Sequence, residues 1–212
     1  MIRVCLAGAT GWAGSELARG IARSEDLTLV AAVGRRHAGQ VLGDVIHEPR
    51  LTTRVSASAA EALASDCDVF VEYTKPDTAK ANVMAALDRG AHVVIGTSGL
   101  TDVDFAEIDA VAHRQNRGVL ACGNFALTVV LLQRFAEMAA SLIPQWEIID
   151  YARDSKVDAP SGTARELAAR LGRVRAPATI VPIEQTIGPI EARGATLSSS
   201  SSLSRRSETL RC

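Results

Sequence analysis

The chain has 212 residues, with 23 Lys and Arg against 24 Asp and Glu, a formal net charge of −1 and 47% hydrophobic residues. That length supports one or two domains with a real core, and the near-neutral balance gives no electrostatic footprint for nucleic acid or a lipid surface. The apolar runs are far shorter than the roughly 20 residues of a membrane span, and Met1-Ile2-Arg3 leads into a strand-like run without a signal-peptide pattern. In chain order, residues 4–7 (Val-Cys-Leu-Ala) read as a buried parallel strand. Gly8, Gly11 and Gly14 follow, then residues 15–22, with Leu17, Ala18, Ile21 and Ala22 at helical spacing. Residues 27–33 are a second strand, 69–73 a third, 77–87 a helix, 92–96 a strand, 102–112 a helix and 119–121 a strand. This alternation predicts βαβ units in a Rossmann-like, doubly wound parallel sheet spanning residues 1–123.

The second half reads differently. Residues 127–142 form a long apolar helix ended by Pro144, 146–151 a strand from their β-branched and aromatic content, and 161–171 a helix. Residues 179–183 and parts of 186–197 suit strands of a more open sheet. The expectation is a second, α+β domain for substrate and oligomerisation over 124–197, incomplete at its C-terminus. The serine run from Ser198 to Ser202 opens a tail, 198–212, too poor in apolar residues for a core strand and expected to be disordered. A truncated or frameshifted reading frame is the expected cause. Cys5, Cys67, Cys122 and Cys212 are scattered without metal-ligand spacing, which predicts reduced thiols, a cytoplasmic location and no metal.

Gly8-Ala9-Thr10-Gly11-Trp12-Ala13-Gly14 lies between a strand and a helix, where a dinucleotide fingerprint belongs. Gly8 permits the turn, Gly11 lets a pyrophosphate approach the backbone, and Gly14 allows close helix–strand packing. The spacing is G-x-x-G-x-x-G. At the end of the second strand, where an acid would bind the ribose hydroxyls of NAD, stands Val33-Gly34-Arg35-Arg36-His37. The Arg35 and Arg36 guanidiniums suit a 2′-phosphate through forked, charge-assisted bonds, which predicts NADPH in preference to NADH. Thr74-Lys75-Pro76 and Gly96-Thr97-Ser98-Gly99 follow two further strands, placing Thr74, Gly96 and Thr97 where an open α/β sheet binds ligands.

Lys156-Val157-Asp158-Ala159-Pro160-Ser161-Gly162-Thr163-Ala164 turns from a loop into a helix. The corner offers an ammonium, two hydroxyls and unpaired N–H groups to a small anionic substrate. Ser161 also suits a plain N-cap.

These motifs resemble, in order, those of the 4-hydroxy-tetrahydrodipicolinate reductase (dihydrodipicolinate reductase) family. Glu72-Tyr73-Thr74-Lys75-Pro76 is similar to the family's D-F-T-x-P, Ala121-Cys122-Gly123-Asn124-Phe125 to its A-x-N-F, and Lys156 to Ala164 to its K-x-D-A-P-S-G-T-A. The resemblance runs to about Thr196. It implies a tetramer of two-domain subunits in lysine and diaminopimelate biosynthesis. These transfer hydride from NAD(P)H to a cyclic, dicarboxylated imine-type substrate. It further implies Lys156 as proton donor, Gly162 and Thr163 on a substrate carboxylate, and Asn124 and Phe125 at the cofactor. The family's histidine pair is replaced by Ala152 and Arg153. Alanine cannot transfer a proton, and arginine stays charged but can bind a carboxylate. The alternatives are a homologous oxidoreductase with a different substrate, or a catalytically impaired nucleotide-binding homologue. The opening loop is also similar to semialdehyde and acyl-phosphate reductases, but Cys122 has no base motif beside it for their nucleophile role.

Overall fold

The computed structural model describes residues 1–151 and 160–178. Ala152, Arg153, Lys156, the strands expected after residue 179 and the serine run lie outside the described residues. The chain divides into two compact units, Met1–Cys122 and Gly123–Cys212.

In the first unit, β1 (Ile2–Ala7), β2 (Leu27–Val33), β3 (Val55–Ser56), β4 (Val69–Glu72), β5 (His92–Ile95) and β6 (Val119–Ala121) form one sheet. Its order is β3-β2-β1-β4-β5-β6, and every pairing is parallel. The order reverses between β1 and β4, the switch point at which open α/β sheets take their ligands. β1 shows why the sheet is buried on both faces. Cys5 and Ala7 enter one core with Phe70, Val83, Leu87 and Ile95. Val4 and Leu6 enter the other with Ala18, Ile21, Leu42 and Val55. Two-residue periodicity sends alternate side chains to opposite faces, and each fully buried Leu or Phe contributes about 1.5–3 kcal/mol.

Helices α1 (Trp12–Arg23), α4 (Pro76–Asp88) and α5 (Asp102–Gln115) match the periodic segments. α1 begins at Trp12, earlier than the pattern of Leu17, Ala18 and Ile21 suggests. The short α2 (Leu42–Ile46), β3 and α3 (Ala59–Ala62) have no counterpart in the sequence reading. None is long enough to show a period.

Two surface clamps secure this unit. Arg3 binds Asp68 through Nη2 at 2.8 Å and through its own backbone N–H at 2.8 Å, joining β1 to the start of β4. Thr101 and Asp104 form the capping box of α5, and Lys80 bridges Asp104 and Glu107 at 2.9 Å each. Arg3 holds the Asp68 carboxyl down at about 2. The Thr101 N–H, then Lys80, do the same for Asp104, also to about 2. Both folded values lie below the ordinary 3.8. Their stabilisation is therefore complete above that pH and lost as pH falls towards 2. Thermal melts between neutral pH and pH ~2.5 should show a falling midpoint that flattens in an Asp68→Asn/Asp104→Asn variant. An unchanged acid profile in that variant would refute the assignment.

The second unit contains α6 (Leu127–Leu142) and α7 (Gly162–Val174). They pack through Ala140, Ala164, Ala168 and Leu171, with Ile148 and Trp146 from the intervening segment. Arg170 ties Glu166 on its own helix, at 2.9 Å, to Glu137 on α6, at 3.1 Å. Residues 146–151, expected as a strand, are not one here. A strand needs a hydrogen-bonded neighbour, and no described residue pairs with this segment as a ladder. Trp146 and Ile148 instead pack against the two helices, while Ile149 and Tyr151 are exposed.

Candidate cofactor and substrate sites

A cavity of about 390 Å³ opens at the switch point of the first unit. Its floor is the β1–α1 turn, with Gly8, Thr10 and Gly11. One side is the 3₁₀ turn Arg35–His37 after β2, and the other is Tyr73, Thr74 and Lys75 after β4 with Thr78 and Asn82 of α4. The turn cannot be built with larger residues. Gly8 has φ +82°, and a Cβ there would lie 2.2 Å from the Tyr73 carbonyl oxygen. A Cβ on buried Gly14 would lie 2.0 Å from the Gly8 carbonyl oxygen. Backbone bonds from Gly8 and Ala9 N–H to the Val33 carbonyl, at 3.0 and 3.1 Å, fix the turn against the end of β2. The N-cap of α1 is Gly11, which supplies no side-chain cap. The first-turn N–H groups are left for an anion.

The wall after β4 is organised by Glu72, which is fully buried. Its Oε1 accepts from the Thr74 N–H at 2.6 Å, the Thr74 hydroxyl, and the Thr97 hydroxyl at 3.2 Å. Its Oε2 accepts from the Asn82 amide at 2.9 Å. Tyr73 lies across the backbone of Gly96, and burial pushes its phenol pKa up. Lys75 is the N-cap of α4, with Pro76 in the first turn.

The structure thus brings Gly8, Thr10, Gly11, Arg35, Arg36 and Thr74 around one cavity. Trp12, 92% exposed, and Ala13 stand in the first turn of α1, while Gly14 packs that helix on the loop. Gly96 and Thr97 lie at the end of β5 and reach the cavity wall only through Tyr73 and Glu72. The sequence reading did not single out Glu72, Tyr73, Lys75, Thr78, Asn82 or His37 as site residues. The available signal for Glu72 was a carboxylate ending an otherwise apolar strand, Val69-Phe70-Val71.

In the second unit the start of α7 forms a separate corner. Ser161 is its N-cap, accepting from the Ala164 N–H at 3.1 Å. The Ser161 N–H and hydroxyl donate to Asp150, at 2.7 and 3.2 Å. Asn124 donates its amide to the Thr163 hydroxyl at 3.1 Å, and the Gly123 N–H donates to Glu166 at 2.9 Å. Asn124, expected beside the cofactor with Phe125, is therefore bonded within the corner that carries Gly162 and Thr163. Phe125 is 41% exposed. Among the described residues no cluster of three His, Cys, Asp or Glu is placed to hold a metal ion. No described helix is long and apolar enough to cross a membrane.

A six-stranded parallel sheet with a glycine turn and a basic cavity at its switch point defines the Rossmann-type, doubly wound class of fold, with its ligand site where dinucleotides bind. The family profile "Dihydrodipicolinate reductase, N-terminus" matches residues 2–125. The profile "Dihydrodipicolinate reductase, C-terminus" matches residues 128–208, beyond Thr196 where the motif resemblance ends. The chain belongs to the dihydrodipicolinate reductase family. It is 36% identical over 197 residues to the 4-hydroxy-tetrahydrodipicolinate reductase of Moorella thermoacetica, covering 92% of this chain and 73% of that protein. It is 35% identical over 177 residues to the enzyme of the same name from Bacillus pumilus, covering 82% of this chain and 65% of the relative. The chain therefore spans about two thirds to three quarters of these relatives' length. A dipicolinate-bound dihydrodipicolinate reductase from Paenisporosarcina sp. TG-14 superposes with a TM-score of 0.69 at 30% identity, covering 92% of this chain and 75% of that one.

Proposed function

We propose that the chain binds NADPH at the switch-point cavity and reduces a cyclic, dicarboxylated imine-type substrate of the kind named for its relatives, 4-hydroxy-tetrahydrodipicolinate. The observation that carries this reading is the cavity, which combines the glycine turn with Arg35 and Arg36 and presents no carboxylate at the tip of β2. The residues fit the cofactor. The turn tolerates no Cβ at Gly8 or Gly14, each of which would meet a backbone carbonyl, α1 leaves its first-turn N–H groups open, and the guanidiniums match a 2′-phosphate. NADPH supplies the hydride when bound. Gly8 and Gly11 hold the pyrophosphate against the start of α1, with Trp12 and Ala13 in the turn that contacts it. Thr74 borders the nicotinamide end, and Gly96 and Thr97 back that wall through Tyr73 and Glu72.

In the second unit, the Gly162 and Thr163 N–H groups bind one substrate carboxylate, because the first helical turn has no internal partners for them. Ser161 shapes that turn as its cap, and Asn124 orients the Thr163 hydroxyl. Arg153 binds a second carboxylate, and Lys156 delivers the proton to the substrate nitrogen. Working as a homo-oligomer in the cytoplasm completes the reading. Ala152 and Arg153 at the histidine positions favour one second reading, a relative whose substrate carries its charges differently.

The test follows absorbance as NADPH or NADH is oxidised with freshly generated 4-hydroxy-tetrahydrodipicolinate, alongside an Arg35→Ala/Arg36→Ala variant. NADPH-dependent turnover is expected. The variant should bind NADPH about 10–100-fold more weakly, as loss of charged hydrogen bonds implies, and bind NADH as before. Intact NADPH binding without turnover would sink the assigned reaction, and undiminished NADPH affinity in the variant would sink the cofactor assignment.

A further inference from the structure

Glu72 is a fully buried carboxylate at the end of an apolar strand. No cation pairs with it among the described residues. Taking a carboxylate out of water is strongly unfavourable unless hydrogen bonds replace its hydration. Here four do: the Thr74 N–H at 2.6 Å, the Thr74 hydroxyl, the Thr97 hydroxyl at 3.2 Å and the Asn82 amide at 2.9 Å. An apolar residue after Val69-Phe70-Val71 would serve the core without that desolvation. What the carboxylate adds is therefore what it holds. Its donors come from three segments, the loop after β4, helix α4 and the loop after β5. Thr74 and Asn82 are themselves part of the cavity wall. The Glu72 backbone joins in, with its carbonyl accepting from the Gly96 N–H at 3.0 Å.

We propose that Glu72 is a positioning residue of the cofactor site. One buried carboxylate fixes the Thr74 and Asn82 wall and ties the Gly96-Thr97 loop to it, so that the cavity is set before NADPH enters. The proposal rests on the NADPH reading of that cavity. Because Glu72 only accepts and the Asn82 amide donates to it, the pair can be exchanged. Asn82→Asp alone sets two carboxylates against each other. Adding Glu72→Gln restores a donor–acceptor pair with the original net charge.

NADPH affinity is measured by titration calorimetry, well below each variant's melting midpoint, on the wild type, Glu72→Leu, Asn82→Asp and Glu72→Gln/Asn82→Asp. Loss of one to two charge-assisted bonds predicts about tenfold weaker binding or more for each single variant, and recovery to within about threefold in the exchanged pair. A purely structural role would shift melting midpoints and leave affinities unchanged, which would overturn the proposal. So would an exchanged pair no better than Asn82→Asp, or a folded Glu72→Leu that binds normally. Should Glu72→Leu fail to fold, the exchange decides by itself. A wild type that does not bind NADPH overturns the proposal together with the cofactor reading, whereas a wild type that binds without rescue in the exchanged pair overturns only the role of Glu72.

Discussion

Gly14→Ala should cost about 3 kcal/mol of stability, lower the melting midpoint by roughly 10 °C and weaken NADPH binding about a hundredfold. The added Cβ would meet the Gly8 carbonyl oxygen at 2.0 Å and its carbon at 2.7 Å. Both are backbone atoms, so no side-chain rotation relieves the contact. Either α1 moves off the turn or the turn itself opens, and each displaces the N–H groups assigned to the pyrophosphate. Gly20 provides the control in the same helix, since a Cβ there meets nothing within 4 Å. Gly20→Ala should raise stability by about 0.5–1 kcal/mol, because alanine loses less backbone entropy on becoming helical. The two melting midpoints should therefore move in opposite directions, and NADPH titrations should show weakened binding for Gly14→Ala alone. Equal behaviour would show that the glycine turn does not set the cofactor site.

Lys156→Ala should lower turnover about 10²- to 10⁴-fold, the usual contribution of a positioned general acid, while leaving NADPH affinity unchanged. The size of the effect rests on Ala152 and Arg153, since alanine carries no titratable group and arginine stays charged, which leaves few groups nearby to share the proton transfer. Steady-state kinetics with a parallel NADPH titration separate the outcomes. Unchanged turnover would remove Lys156 from the reaction, and a matching loss of NADPH affinity would reassign it to cofactor binding.

The parallel sheet was legible because its strands are short apolar runs, such as Val4-Cys5-Leu6-Ala7, separated by helices with a clear period. The glycine turn was legible because spacing between a strand and a helix is a local property. The strand expected at 146–151 was not secure, because β-branched and aromatic residues suit a strand only when a neighbour pairs with it. Here Trp146 and Ile148 pack against α6 and α7 instead. The Asn124 amide bonds to Thr163, 39 residues along the chain. No spacing rule carries that pairing.

By itself the sequence determined the alternation of elements, the turn chemistry of Gly8 to Gly14, the basic tip at Arg35 and Arg36, and the family. These depend on local preference and on residue order. The tertiary structure alone decided which loops share a cavity and which buried group holds them there. Thr74 and Asn82 reach Glu72 from the loop and helix that follow β4, but Thr97 lies 25 residues on, and only the parallel pairing of β4 with β5 brings its hydroxyl to the same carboxylate. A carboxylate has no preferred distant partner until the fold removes its water, so its role is set by packing and not by spacing.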